Sequence, residues 1–507
     1  MDVDRARLSG RADKTEFIYC RDLSVPQSVD WRLALEDRRA EIEMPRLPKS
    51  LHTRILAALI TVGGMTVIVK GVTLSKEILI AHRFGANEAL DAFYLALLLP
   101  AFLTNVIGDS INSAFVPIYI QLRETEGAAI AHQLLSSVAV ISLCVLVVTS
   151  LLLAGLRHIV MPALGSGFSP HSLRMAESLF SVLLAPLAMS GLVALWRATL
   201  NAEERFAISA ITPLMTQLAI MIVLLLFGAT WGVYALVAGM VLGMTGELAV
   251  SGCALARAGI PLMPRWYGVD ASLRRVLSQY APMVAGALLM GSTVLVDQSM
   301  AAMLQTGSVS ALNYAGKLLS VPLNIGVYSL SIAVFPVFSR QSASKDWRGM
   351  RRILSIYTRL ILVVSLPLTI VLMMYSEQLV ALMFAGGAFD ADAIHLVGKV
   401  QALLCLQLPF FALGLLYVRA ISALGRNQIL MWGTIISVVA NVLLNVVFMR
   451  ICGLAGIALS TAVVYALSCG YLAMMLFRTL GQRETTVASG FTVSSPQVRS
   501  VEPGLAR

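Results

Sequence analysis

VKGVTLSKEILIAHRFGANEALDAFYLALLLP, residues 69–100, joins two apolar runs through a short polar turn and carries Lys70, Lys76, Glu77 and Asp91 within them. A helix that crosses a bilayer needs about 20 predominantly apolar residues. A charge at its centre costs about 2.5 kcal/mol or more on insertion scales, so charges kept there face a protein interior or a wet cavity. The same pattern extends outward through residues 51–480, where further single charges, Asp109, Asp297, Lys317 and Lys399, interrupt apolar stretches. The 507 residues are 58% hydrophobic and 13% charged, and the mean hydropathy is +0.80. A soluble chain of this size has no use for so much apolar surface. The fold class is therefore an all-α polytopic membrane protein with a charged interior, which points to transport.

Other classes are excluded by what is missing. The net charge is +10, but the basic residues are spread over short loops and form no patch for nucleic acid. Of the six cysteines, Cys20, Cys144, Cys253, Cys405, Cys452 and Cys469, none forms a CxxC pair and five lie in apolar runs, so they read as small core residues. There is no HExxH, no Walker A sequence and no GxSxG. The short loops leave no room for a catalytic domain, so the chain is not expected to be an enzyme.

About twelve spans fit the apolar pattern, at 54–81, 88–120, 128–157, 173–201, 206–228, 230–256, 273–304, 308–339, 350–375, 391–423, 428–449 and 453–478. Residues 376–390 read as a short amphipathic loop at the membrane surface. Residues 1–50, with ten basic and ten acidic side chains, read as a largely disordered extension with a short helix over Trp31–Glu43, and Met44 is an alternative start. Residues 481–507 read as a disordered tail. Basic loop residues set the orientation. Arg123, Arg205, Arg257, Arg265, Arg340, Lys345, Arg348 and Arg426 fall on one side, flanked by Arg274, Arg275, Arg351 and Arg352. Only Arg83, Arg157, Arg174 and Arg450 fall on the other. Both termini are thus expected in the cytoplasm.

The chain repeats itself. Ala89-Leu90-Asp91-Ala92 through Pro100 resembles Ala311-Leu312-Asn313-Tyr314 through Pro322, Ala114-Phe115-Val116-Pro117 resembles Ala333-Val334-Phe335-Pro336, and Arg197-Ala198 matches Arg419-Ala420. Two parallel six-span halves follow, 51–257 and 273–480, joined by a linker at 258–272, with a central cavity between them.

Val69-Lys70 through Ser75-Lys76-Glu77, then Phe84-Gly85-Ala86, Asp91-Ala92-Phe93, Ala114-Phe115-Val116-Pro117, Tyr314-Ala315-Gly316-Lys317 and Pro322 together resemble the MviN/MurJ family of the multidrug/oligosaccharidyl-lipid/polysaccharide exporter superfamily. The resemblance covers roughly residues 51–478. It implies two six-helix bundles around a cavity, and a flippase for a polyprenyl-diphosphate-linked sugar in the bacterial inner membrane. It also implies cavity cations on the diphosphate, here Lys70, Lys76 and Lys317 where the family usually has arginine. Lysine offers a point charge in place of a bidentate fork. Glu77 and Asp91 match acidic family positions. Thr104 and Asn105 stand where lipid II flippases carry an arginine pair, and about twelve spans are expected here where those proteins usually have fourteen helices. A lipid-linked sugar for an exported polysaccharide therefore competes with lipid II as the cargo.

The candidate substrate-binding residues are Lys70, Lys76, Glu77, Asp91, Asp109 and Lys317. For Lys76 and Glu77 the competing reading is snorkelling to the interface. For Asp91 it is capping of its own helix. A second group, Asp297, Asn441, Asn445 and Thr461, offers a carboxylate, amides and a hydroxyl, which suits a hard monovalent cation such as sodium. The competing reading is an interhelical hydrogen-bond cluster. Arg197 and Arg419 read as interface anchors or lipid-headgroup contacts. No cofactor is expected beyond a sodium ion, a proton gradient or the membrane potential as driving force. The expected partners are the lipid-linked substrate and membrane lipids, and the expected state is a monomer. A cation-coupled drug antiporter of the same superfamily is the alternative function.

Overall fold

The computed structural model describes the backbone of residues 49–491, and the side chains of residues 63–483 except at positions 109, 324, 325, 329, 332 and 333. The expectations for residues 1–48, Met44 among them, and for 492–507 lie outside the described residues. Contacts divide the chain into residues 1–57 and 58–507, and every described side chain belongs to the second unit.

The first half contains α1 (Lys49–Phe84), α2 (Glu88–Thr125), α3 (Ala128–Leu164), α4 (Pro170–Ala202), α5 (Phe206–Ile211), α6 (Pro213–Trp231) and α7 (Tyr234–Ala256). The second half contains α8 (Ala271–Ala301), α9 (Ser308–Pro322), a π-helical segment (Leu323–Tyr328), α10 (Ser329–Ala343), α11 (Trp347–Met374), α12 (Ser376–Phe384), α13 (Ala391–Cys405), α14 (Gln407–Ala423), α15 (Asn427–Cys452) and α16 (Leu454–Phe491). Helix starts follow local chemistry. Asn87, Asp270, Asp346 and Asp390 each accept a backbone N–H three residues on, at 2.8–2.9 Å. Each thereby satisfies one of the donors that a helix leaves open at its start.

Among the described residues, ten helices are long and apolar enough to cross a membrane, against about twelve expected. The other two expected spans are special cases. The described part of α1 carries Lys70, Lys76 and Glu77. The segment expected as one span at 308–339 is divided by its π turn into two helices of 15 residues. Pro322 closes the first of them, where a missing N–H and a ring clash break the regular ladder. The expected surface loop at 376–390 instead forms α12 and a tight turn in which Gly386 pairs with Phe389. Its apolar residues explain the difference, because Val380, Phe384 and Phe389 are all buried. The span expected at 391–423 is divided at Leu406 into α13 and α14. The last helix continues past residue 480 to Phe491.

The repeat is visible in the backbone. Gly232 and Gly453 close equivalent helices with φ/ψ of 54°/−133° and 61°/−135°. Gly85 and Gly307 precede equivalent helices with φ of 61° and 86°. Side chains with a Cβ adopt such angles only with strain.

One apolar cluster is shared by both halves. It includes Ile80, Leu90, Leu95 and Phe180 from the first and Val309, Tyr314, Phe384, Phe389 and Leu454 from the second. Two further clusters stay apart, one around Phe115, Tyr119 and Leu195, the other around Phe338, Leu354 and Leu416. The halves therefore share a core at the end where α2 and α9 begin and keep separate cores elsewhere. Helix α8 bridges them: Leu273 and Val276 at its start pack in the first half's cluster, and its later residue Asp297 bonds to α15 of the second.

Close backbone approach seals the shared end. A Cβ on Gly85 would sit 2.1 Å from the Ala388 carbonyl oxygen. We expect Gly85→Ala to combine that clash with a positive-φ strain of about 1–3 kcal/mol. Thermal unfolding of the purified protein should show the loss, whereas Gly63→Ala, which meets nothing within 4 Å, should leave the transition nearly in place.

Candidate functional site

Directly beneath the shared end, α1 and α9 place three charges together. Glu77 is 2% exposed. Its Oε1 accepts from Lys76 Nζ at 2.9 Å and from Lys317 Nζ at 2.8 Å. Lys76 belongs to the first half and Lys317 to the second, so one carboxylate oxygen joins them. Its other oxygen is buried without a hydrogen-bond partner. The Lys76 side chain is 12% exposed and that of Lys317 42%. Lys76 and Glu77 thus point inward, not to the interface. The cluster carries one net positive charge, from two ammonium groups and one carboxylate.

Lys70 is not part of this cluster. It is exposed on α1, and its six-residue spacing from Lys76 turns it well away from the face that carries Lys76. Asp109 falls outside the described residues. Lys399 lies exposed on α13.

Asp91 does something the sequence does not suggest. Its own helix is capped by Asn87. Asp91 reaches across to the other half, where Oδ2 accepts from Gly307 N at 2.6 Å and Oδ1 from Ser310 N at 2.7 Å. Ser310 Oγ donates to the same carboxylate. A carboxylate from α2 therefore caps α9, and the positive end of that helix favours it. Tyr314 adds a hydroxyl hydrogen bond to the Gly85 carbonyl at 3.2 Å, and its ring meets Tyr94, Phe384 and Phe389. Ser310 and Tyr314 escape sequence reasoning because serine and tyrosine near a helix start carry no signal of a partner 219 residues away.

The second group also assembles. Asp297 on α8 accepts from Asn441 Nδ2 at 2.9 Å and Asn445 Nδ2 at 2.7 Å, both on α15, and from Thr461 Oγ1 on α16 at 3.2 Å. Asn445 Oδ1 is buried without a partner. In this arrangement the amides present N–H groups to the carboxylate. A half-turn of either amide would present its oxygen, and which way an amide points follows the local hydrogen-bond demand. The donor set of one carboxylate, two amide oxygens and one hydroxyl then fits a hard monovalent cation.

A third group departs from the sequence expectations. A cavity of about 490 Å³ lies within the first half between α2, α4, α6 and α7. Arg197, expected as an anchor at the membrane interface, lines it together with Gln217 and Glu247. Glu247 is 5% exposed and accepts from Thr216 Oγ1 at 2.6 Å. It carries the same signal that singles out Asp297, an acid in mid-span.

The sequence profile of the family described as lipid II flippase MurJ matches residues 80–496. A lipid II flippase MurJ of Burkholderia cenocepacia is 25% identical over 445 residues, covering 85% of this chain and 84% of that protein. A probable lipid II flippase MurJ of Thermotoga maritima is 23% identical, covering 83% and 84%. Among solved structures, a lipid II flippase MurJ in an inward closed conformation superposes with a TM-score of 0.71 at 20% identity, over 86% of this chain and 94% of that one. An inward-facing multidrug resistance MATE family transporter of the MOP superfamily gives 0.68 at 14%, over 84% and 99%. Both structures share the fold.

The Asp91 bridge sets a test of the closed end. We expect Asp91→Ala to cost about 1–3 kcal/mol for each of the two backbone donors, at Gly307 and Ser310, that would be left unsatisfied. Spin labels at the exposed positions His171 and Thr306 should report a broader and longer inter-half distance in the variant. An unchanged distribution would mean that the apolar cluster alone holds the end shut.

Proposed function

Since this chain belongs to the lipid II flippase MurJ family, we propose that it moves a polyprenyl-diphosphate-linked sugar, lipid II or a close relative, across the bacterial inner membrane by alternating access. The observation that carries this reading is the sharing of Glu77 between Lys76 and Lys317. Two cations from opposite halves converge on one anionic oxygen, and a diphosphate offers the same chemistry with more charge. Cargo arriving from the open side would displace the Glu77 carboxylate and take both ammonium groups. The carboxylate would then repel the cargo, which keeps binding reversible. A ligand shifts a two-state equilibrium only through differential contact with the two states. A diphosphate held by both lysines meets that condition, because it needs the halves close together.

The Asp91 bridge is the gate on the far side. Its opening would release cargo there, and its closing would reset the cycle. We assign the gate to the periplasmic face and both termini to the cytoplasm, from the distribution of loop arginines. The Asp297 group is a sodium site in this reading, and ion entry would bias the second half. An inward gradient or the membrane potential, worth about 2.3 kcal/mol per unit charge per 100 mV, would then drive the cycle. A cation antiporter would require a net acidic group at the junction of the halves, where this chain has a net positive one.

Three outcomes test the proposal. Lys317→Gln should abolish flipping of lipid II in reconstituted vesicles while the protein remains inserted, and Lys317→Arg should keep much of the activity because the charge is retained. Normal flipping by both Lys317→Gln and Lys76→Gln would reject the diphosphate site. Asp297→Asn should remove any sodium dependence of the flipping rate, and a variant that keeps that dependence would reject the cation site. Reporter fusions at Gly127 and Gly481 should both read as cytoplasmic and one at Gly307 as periplasmic.

A further inference from the structure

A second pocket lies within the second half, between the start of α9, helix α13 and the turn from α15 into α16. Its volume is about 250 Å³. Lys399, Ser308, Gln305 and Cys452 supply its polar wall, and among the described residues no carboxylate lines it.

Ser308 needs an explanation. Its side chain is 0% exposed, and its Oγ is buried without a hydrogen-bond partner. A hydroxyl shut off from water and left open is costly, and native structures keep few of them. Lys399 brings an ammonium to the same wall from the exposed side of α13, and among the described residues no ion pair holds it. The backbone adds further donors. Helix α16, 38 residues long, begins in the pocket wall with Leu454 and Ala455. The first N–H groups of a helix have no partner within it, and its positive end favours an anion. At the start of α9, by contrast, Asp91 already takes Gly307 N and Ser310 N. What α9 leaves open is the Ser308 hydroxyl. An ammonium, a hydroxyl and a helix start around one small space form a donor set that suits a phosphate group.

The repeat supplies an internal control. At the Arg197–Arg419 offset of 222 residues, the place of Lys399 is taken by Glu177, whose carboxylate lies 2.9 Å from His158 Nδ1. At the same offset between Gly85 and Gly307, the place of Ser308 is taken by Ala86. The first half thus has an acid and a methyl group where the second has an ammonium and an open hydroxyl.

We propose that this pocket is a binding site for a phosphate group, carried by inorganic phosphate or by an anionic lipid headgroup. Lys399 supplies the charge, Ser308 Oγ donates a hydrogen bond, and the first N–H groups of α16 close the shell. The site is distinct from the Lys76–Glu77–Lys317 cluster. Lys317 lies nine residues further along α9, about 14 Å at 1.5 Å per residue. The inference therefore stands independently of the flippase reading.

Cys452 makes the test direct, because its thiol is exposed and lies in the pocket wall. The purified full-length protein in neutral detergent is treated with an uncharged maleimide, and labelling is read cysteine by cysteine by peptide mass spectrometry. Cys144 and Cys253, also exposed, serve as controls. Inorganic phosphate should slow labelling of Cys452 and leave both controls unchanged, whereas chloride at equal ionic strength should slow none of the three. Lys399→Gln should weaken the phosphate affinity read in this way about tenfold, the factor that one charge-assisted hydrogen bond supplies. Ser308→Ala should weaken it about threefold, the share of a neutral one. Lys399→Arg should keep most of it. The source of the phosphate is read in phosphate-free nanodiscs of phosphatidylcholine with or without phosphatidylglycerol. Protection of Cys452 by phosphatidylglycerol would assign the site to a lipid headgroup, and protection by inorganic phosphate alone would assign it to the free anion. Protection by neither, equal slowing of the control cysteines, or full protection retained in Lys399→Gln would overturn the site.

Discussion

One carboxylate oxygen shared by two lysines is the interaction around which the two halves are organised. Glu77 and Lys76 come from α1, Lys317 from α9, and the three are bound at 2.8–2.9 Å just beneath the junction. Charges in an apolar span persist only when paired or wet. Removing a partner from such a group leaves an uncompensated charge, at a cost of about 3–5 kcal/mol when the pair is buried. The arrangement therefore holds α1 against the second half. The cluster has one more cation than carboxylate.

The rest of the shared end follows from the same constraint on polar groups. In an apolar surrounding each backbone N–H requires a partner. The first N–H groups of α9 have none within their own helix, and Asp91 provides it from the other half. Because the donor and acceptor belong to different halves, the bond exists only while the halves are together. Glycines at 85, 307, 386 and 387, all with positive φ, let the turns approach closely enough to close that end. The apolar cluster around Tyr314, Phe384 and Phe389 covers it. Away from this end the apolar clusters are separate, and α8 joins them through Leu273 and Val276 in the first half's cluster.

Much of the site is legible in the chain itself. Intramembrane charge singles out Lys76, Glu77, Asp91, Asp297 and Lys317, since the cost of each in lipid demands a partner, but it singles out Lys70 and Lys399 equally, and both are exposed. Spacing puts Asn441 and Asn445 on one face of α15, and the fold sets both against Asp297. The partners themselves are not legible where they are backbone groups or common residues. Gly307 and Ser310 carry no charge and break no pattern. Arg197 reads as an interface anchor because its place near the end of an apolar run looks the same whether the side chain turns to the interface or to a cavity. Residues 376–390 read as a surface loop because their apolar side chains are too few for a span, and packing in the shared cluster, with Phe384 and Phe389 against Tyr314, gives them somewhere to be buried.

The sequence by itself determined that the chain is a helical membrane protein of two related halves, because apolar length and internal repetition are one-dimensional properties. It also determined which charges needed an explanation, because the penalty for a charge in lipid falls on the residue that carries it. Only the tertiary structure decided which charges meet. Lys76 and Lys317 are 241 residues apart in the chain and share one oxygen, while Lys70, six residues from Lys76, stands outside. Whether two side chains meet depends on helix rotation and on the packing of one half against the other, and those follow from the sum of many small contacts that no single stretch of sequence contains.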